Sequence, residues 1–354
     1  MAAWEENVRR VEPYTPGEQP KQPNMIKLNT NENPYPPAPG VAKALRELET
    51  DNLRRYPDPS SKVLVQALAD YYGVAKEQVF VGVGSDDVLA MSFLTFFNSG
   101  KSILFPDITY SFYDVWADLF RIPYECPPLD EDFKICTEDY LRECGGIVIP
   151  NPNAPTGIEK DLKELEQIIA GNPGVIVIID EAYIDFGGTS ALSLLPKYEN
   201  LLVVQTFSKS RSLAGMRIGY AIGNEKLIRY LNDAKYSFNS YTMSAAALAA
   251  GVEAVRDDVY FRETLQKIIN TRERTKKELH RLGFSFPDSK SNFIFAAHPK
   301  YPAKELFEAL KKSNIYVRYF ERPRIDNYLR ISIGTEQEMD CLLRFLEEYL
   351  GESI

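Results

Sequence analysis

A mostly parallel α/β sheet between helices, followed by a smaller α+β module, is the fold class this sequence predicts. Three observations carry that expectation. From Val63 to Gly223, short uninterrupted apolar runs alternate with stretches of helical periodicity, the pattern of strands buried on both faces and joined by helical crossovers. After about residue 240 the texture changes to a long helical stretch and then to helices and strands in mixed order. The 354 residues also suffice for two or three domains.

In chain order, the first 40 or so residues are rich in Pro and Asn and end in LNTNENPYPPAPG, which predicts an extended arm with turns. VLVQALADYYGV has helical spacing, QVFVGVG reads as a strand, SDDVLAMSFLTFF as a helix and SILFP as a short strand. GIVIPNPN, GVIVIIDEAY, NLLVVQTFSK and RIGYAIG continue the strands, with LKELEQIIAGN as a helix among them. Residues 244–283 read as one long helical stretch. SNFIFAAH, the helix AKELFEALKKSN, the strands IYVRYF and YLRISIG, and the helix EQEMDCLLRFLEEYL follow. The expected division is an N-terminal arm with part of the small domain (1–45), a large α/β domain (46–262) and a small C-terminal α+β domain (263–354).

Composition narrows the function. A net charge of −9 argues against a nucleic-acid-binding surface, which needs a basic face. The first twenty residues lack the apolar core of a signal peptide and no apolar run reaches the roughly 18 residues of a membrane span, so the expected compartment is the cytoplasm. Cys126, Cys136, Cys144 and Cys341 form no CxxC pair, and His280 and His298 lie far from each other. Neither a metal centre nor Ser–His–Asp catalysis is expected.

Four segments carry chemistry. VIVIIDEAYIDF is an apolar strand ending in Asp180, and ligands of open α/β sheets bind beyond the carboxyl ends of the strands; an acid there also serves as a cap. In FVGVGSDDVLAMS, Gly82 and Gly84 close a strand while Ser85 and Asp86 open a helix, whose free N–H groups suit a phosphate or need only capping. The third glycine of a dinucleotide fingerprint is missing. NPNAPTG, Asn151 to Gly157, forms a tight turn at another strand end. TFSKSRSLAGMRIG brings the hydroxyls of Thr206 and Ser208 and the guanidinium of Arg217, a set that suits a phosphate dianion, around Lys209. A lysine for an imine, an acid for a ring nitrogen and a phosphate cup are what pyridoxal 5'-phosphate requires.

With LNTNENPYP, RYPD, NPNAPTG, DEAYIDF, TFSKSRSLAGMRIG and YLRISIG all present, the chain resembles the fold-type I pyridoxal-phosphate aminotransferases of class II. Among them it is most similar to the histidinol-phosphate aminotransferases, over residues 14–334. The resemblance implies a seven-stranded sheet and assigns roles. Lys209 would form the imine and shuttle a proton, Asp180 would pair with the ring nitrogen, and Tyr183 would bond the phenolic oxygen. Tyr110 would stack on the ring. Ser85, Asp86, Thr206, Ser208 and Arg217 would surround the phosphate, joined by Tyr56 of a second subunit in a homodimer. Arg330 and Arg318 would hold the substrate's carboxylate or phosphate, with Tyr14 and Asn31 closing over it. Where the family has asparagine before PTG this chain has Ala154, and Asn153 is expected in its stead. The implied reaction is L-histidinol phosphate + 2-oxoglutarate = imidazole acetol phosphate + L-glutamate, by a ping-pong route through pyridoxamine phosphate. Alternatives are an aromatic amino-acid aminotransferase, threonine-phosphate decarboxylase and, outside catalysis, a cofactor-binding regulatory domain.

Overall fold

The computed structural model describes residues 3–351; residues 1–2 and 352–354, which belong to the expected arm and C-terminal domain, lie outside the described residues. In chain order the elements are β1 (Ile26–Leu28), α1 (Pro39–Arg46), α2 (Lys62–Tyr72), β2 (Val79–Gly82), α3 (Ser85–Phe96), β3 (Ile103–Leu104), α4 (Tyr113–Phe120) and β4 (Tyr124–Glu125). Then come β5 (Gly146–Pro150), α5 (Leu162–Gly171), β6 (Val177–Asp180), β7 (Leu201–Thr206), β8 (Gly219–Gly223), α6 (Glu225–Phe238), α7 (Ala245–Arg256) and α8 (Asp258–Arg281). The last are β9 (Phe293–Ala296), α9 (Ala303–Lys312), β10 (Ile315–Tyr319), β11 (Leu329–Ser332) and α10 (Glu336–Gly351).

Seven strands form one sheet in the order β2-β8-β7-β6-β5-β3-β4. All run parallel except β8, which is antiparallel to both of its neighbours. The expected fold class is therefore the observed one. The apolar runs are continuous because alternate residues serve opposite faces. Ile147, Ile149, Val177, Ile179, Leu201 and Val203 pack with Leu165, Ile168 and Ile169 of α5. Val148, Ile178, Leu202 and Val204 pack on the other side with Val88, Leu89 and Phe93 of α3 and Trp116 of α4. Each such fully buried side chain contributes roughly 1.5–3 kcal/mol by leaving water. Side-chain caps mark the crossover helices: Asp161, Asn224 and Ser244 accept from backbone N–H groups in the first turns of α5, α6 and α7.

A second sheet has the order β1-β10-β11-β9 and packs on α8, α9 and α10. Two features differ from the sequence expectation. The arm contains a strand: Ile26–Leu28 pairs parallel with Ile315–Val317. The stretch 244–283 is two helices, because Asp257 leaves helical geometry and its carboxylate accepts from the N–H of Tyr260, capping α8. Tyr260 packs against the core of α1, α2 and α7, whereas Ile268 and Leu279 belong to the core of the second sheet. The passage from one core to the other thus lies within α8. No helix among the described residues is long and apolar enough to cross a membrane.

Candidate active site

Strand register gathers the site. Pro150 pairs with Asp180, Asp180 with Val204, Thr206 with Gly219, and Gly82 with Gly219. Because β8 is reversed, the ends of β2, β5, β6 and β7 and the start of β8 share one edge of the sheet. A cavity of about 180 Å³ opens there. Its lining includes Ser85, Asp86, Tyr110, Asp180, Tyr183, Thr206, Ser208, Lys209 and Arg217, nine of the residues singled out in the sequence. Thr30 and Glu32 of the arm also contribute.

Asp180 ends β6 at the floor. Its Oδ2 accepts from the Tyr113 hydroxyl at 2.6 Å and its Oδ1 from the N–H of Ala182 at 3.2 Å. Burial pushes its carboxyl up to about 6, against these two bonds, with Asp86 adding repulsion. A buried carboxylate that lines a cavity and has no cation paired with it among the described residues suits a protonated ring nitrogen. Above the floor, Lys209 donates from Nζ to the carbonyl of Thr30 at 3.1 Å and lies 5.7 Å from the centre of the Tyr183 ring. Asn33 donates to the carbonyls of Lys209 and Ser210, so the arm holds the backbone of the lysine loop as well.

The cup forms around the first turn of α3. Gly84 takes φ +85°, and a Cβ there would lie 2.4 Å from Nη2 of Arg217, so only glycine admits that guanidinium. Arg217, itself at φ 53°, donates to Asp86 Oδ2 at 2.8 Å and reaches Ser208 Oγ at 3.5 Å. Thr206 donates to Ser208 Oγ at 3.1 Å. Hydroxyls, a guanidinium and a free helix start fit a phosphate dianion, and Tyr110, which donates to Asp86 at 2.8 Å, forms an adjoining wall. Lysine, floor carboxylate and cup together match the demands of pyridoxal phosphate.

The remaining predicted residues lie around this cavity or away from it. Arg318 and Arg330 are register partners on β10 and β11. Arg330 is half-buried: Nη2 donates to the carbonyl of Asn29 at 3.0 Å, the enclosed Nε has no hydrogen-bond partner among the described residues, and desolvation pulls its pKa below the usual range. Asn31 donates to the Tyr183 hydroxyl at 2.9 Å. Tyr14 stacks on Phe112 at 4.1 Å and lies 6.5 Å from Tyr110. Tyr56 is 80% exposed, stacks on Tyr241 and is absent from the lining of its own chain's cavity. Asn153 does not take the place expected of it. Its Oδ1 accepts from Thr109 and its Nδ2 donates to the carbonyl of Ile108, and the wall at that turn is Ala154. Sequence reasoning missed Tyr113, Thr30 and Asn33. The last two lie inside the NTNEN string; Tyr113, three residues after Tyr110, carries no signal of its distant partner.

The profile described as aminotransferase class I and II matches residues 23–346, and the chain belongs to that family. Enzymes of the family work with pyridoxal phosphate. The chain is 53% identical over 348 residues to the histidinol-phosphate aminotransferase of Lactococcus lactis subsp. cremoris, covering 98% of each. It is 50% identical over 349 residues to that of Clostridium botulinum, covering 99% of each. In fold it is similar to the histidinol-phosphate aminotransferase of Sinorhizobium meliloti, solved in complex with pyridoxal-5'-phosphate. That likeness has a TM-score of 0.84 at 24% identity and covers 92% of this chain and 91% of the other.

Proposed function

We propose that this chain transfers an amino group between L-histidinol phosphate and 2-oxoglutarate, giving imidazole acetol phosphate and L-glutamate. One observation carries the reading: the Lys209 amine projects into a cavity with a cup of hydroxyls and the Arg217 guanidinium at one side, while a second guanidinium, that of half-buried Arg330, lies near Tyr183 with its Nε–H unpartnered among the described residues. One cup fits the phosphate of a cofactor, and the second cation fits the carboxylate or phosphate of a substrate. Full-length identity of 50% and more to relatives named for this reaction supports the same substrate.

Bound pyridoxal phosphate supplies an aldehyde and an electron-withdrawing ring. The rest falls to the chain. Asp180 holds the ring nitrogen's proton in place, and Tyr110 walls the ring. Ser85, Asp86, Thr206, Ser208 and Arg217 fix the phosphate through backbone N–H groups, hydroxyls and guanidinium. Lys209 Nζ takes a proton from the substrate's Cα and returns it. Tyr183 bonds the phenolic oxygen. Arg330, with Arg318, orients the substrate anion, Tyr14 of the arm excludes water from above, and Asn31 bonds the Tyr183 hydroxyl.

We further place the enzyme in the cytoplasm as a homodimer, with Tyr56 of each copy reaching the phosphate end of the other's site. The exposure of the apolar side chains Leu53, Tyr56, Tyr236, Phe238 and Tyr241, of which Tyr56 and Tyr241 stack on each other, supports this. The reaction is tested by mixing purified, cofactor-loaded protein with histidinol phosphate, phenylalanine, tyrosine or threonine phosphate. The visible band should be lost fastest with histidinol phosphate, without release of carbon dioxide. The band itself should be missing in Lys209→Ala. Faster loss with tyrosine or phenylalanine, or carbon dioxide from threonine phosphate, would replace this substrate with one of the alternatives.

A further inference from the structure

Tyr183 is held by a chain of groups that begins outside the cavity. Asn31 adopts φ 58°, the left-handed region that asparagine tolerates better than most residues. Its side chain thereby lies between β11 and Tyr183. Four bonds surround it: the Asn31 N–H donates to Ser332 Oγ at 2.9 Å, the Ser332 hydroxyl donates to Asn31 Oδ1 at 2.9 Å, Asn31 Nδ2 donates to the Tyr183 hydroxyl at 2.9 Å, and Asn292 Nδ2 donates to the Asn31 carbonyl at 3.0 Å. Asn31, Ser332 and Asn292 are all buried, so water does not compete.

Hydrogen-bond valence gives this chain a direction. Ser332 Oγ accepts from the Asn31 N–H and gives its single proton to the Asn31 amide oxygen. That contact turns the oxygen of the Asn31 side chain toward Ser332 and the NH2 toward Tyr183. An amide NH2 only donates, so the Tyr183 oxygen accepts. The tyrosine's own proton is then left to point elsewhere, and among the described residues no acceptor takes it. Tyr183 lines the cavity. With the amide reversed, the same heavy atoms would stay in place, but Tyr183 would spend its proton on Asn31 Oδ1.

We infer that Ser332 is a positioning residue for the reaction: through the amide of Asn31 it sets the Tyr183 hydroxyl as a donor into the cavity. The inference rests on reading that cavity as a pyridoxal-phosphate site with Tyr183 at the phenolic oxygen. A donor there stabilises the phenolate and loosens its hold on the neighbouring imine proton, so losing the donor raises the pH at which the visible band titrates. The charged and titratable groups facing Tyr183 are Lys209, Arg330, Tyr110 and Tyr113, and none of them bonds to the Asn31–Ser332 pair.

The experiment is a spectrophotometric pH titration of the protein loaded with pyridoxal phosphate. Ser332→Ala should raise the midpoint by about half a unit to one unit, the size of one redirected hydrogen bond. Tyr183→Phe should raise it at least as far, and Ser332→Thr, which keeps the hydroxyl, should restore the native midpoint. Should Ser332→Ala fold poorly, Asn31→Asp asks the same question, because a carboxylate accepts the tyrosine proton; it too should move the midpoint upward. An unmoved midpoint in Ser332→Ala or Asn31→Asp beside a raised one in Tyr183→Phe overturns the role of Ser332. An unmoved midpoint in all of them overturns the placement of Tyr183, and a native protein without a visible band overturns the reading of the site itself.

Discussion

Asp180 was readable from the sequence because a strand end locates it, but its energetics come from its surroundings. Burial lifts its carboxyl to about 6, above the ordinary aspartate value. A raised folded-state pKa means that folding takes up a proton between about pH 4 and 6, so the ionised form costs stability above pH 6 in the cofactor-free chain. Asp180→Asn should therefore unfold later than the native chain at pH 8, by on the order of 2 kcal/mol. That gain should fade to nothing near pH 4, while transamination is lost. Urea unfolding of the cofactor-free proteins at several pH values measures this; a gain of equal size at pH 4 and pH 8 would contradict burial as the cause. Lys209 and Arg217 were legible for the same reason as Asp180, since each lies close to a strand, and Tyr183 through the DEAYIDF string that carries the family resemblance. Tyr113 was not. It bonds Asp180 from 67 residues away, and only the register of β5 and β6 with the layer of α3 and α4 brings the two together.

The contact of β8 with the β2–α3 turn sets the shape of the cup. A Cβ on Gly219 would lie 2.2 Å from the carbonyl carbon of Gly84 and 2.3 Å from the nitrogen of Ser85, both backbone atoms that cannot yield cheaply. Gly219→Ala should push the start of α3 outward, destabilise the fold by about 1–3 kcal/mol and weaken pyridoxal phosphate binding. Gly215→Ala, where nothing lies within 4 Å, should change neither. Denaturant titration and cofactor titration followed by fluorescence report the two effects separately. Retained cofactor affinity in Gly219→Ala would show that the cup does not depend on this approach. The elements that escaped the sequence reading were those without a periodic signal. Ile26–Leu28 is three residues in a Pro-rich arm, and its pairing with β10 is purely tertiary. Asp257 looked like one more polar residue on a helix, yet its carboxylate serves better as the cap of a new one.

For the whole molecule, the apolar residues Leu53, Tyr56, Tyr236, Phe238 and Tyr241 remain exposed on one chain. If they cover each other between two copies, sedimentation equilibrium should report the mass of two 40.2 kDa chains. Phe238→Asp should shift the protein toward the monomer and lower its affinity for pyridoxal phosphate, because each site would lose the other copy's Tyr56. A fully active monomer would refute that arrangement. A net charge of −9 argues against a nucleic-acid partner, but no local pattern could reveal which apolar side chains a second copy covers.

The pairing of β1 with β10 also bears on how the protein is made. Ile26–Leu28 leave the ribosome some 290 residues before their partner Ile315–Val317, a wait of roughly 15–60 s at about 5–20 residues per second. During that interval the large sheet can form with its cofactor-binding edge in place, yet the Thr30 carbonyl that receives Lys209 and the amide that bonds Tyr183 hang on an arm with no strand to join. Synthesis of β10 and β11 supplies both the partner of β1 and Ser332. The active site is thus finished by the late-made part of the chain, and a nascent chain stalled before residue 315 would carry the lysine, the acid and the cup without the arm that organises them.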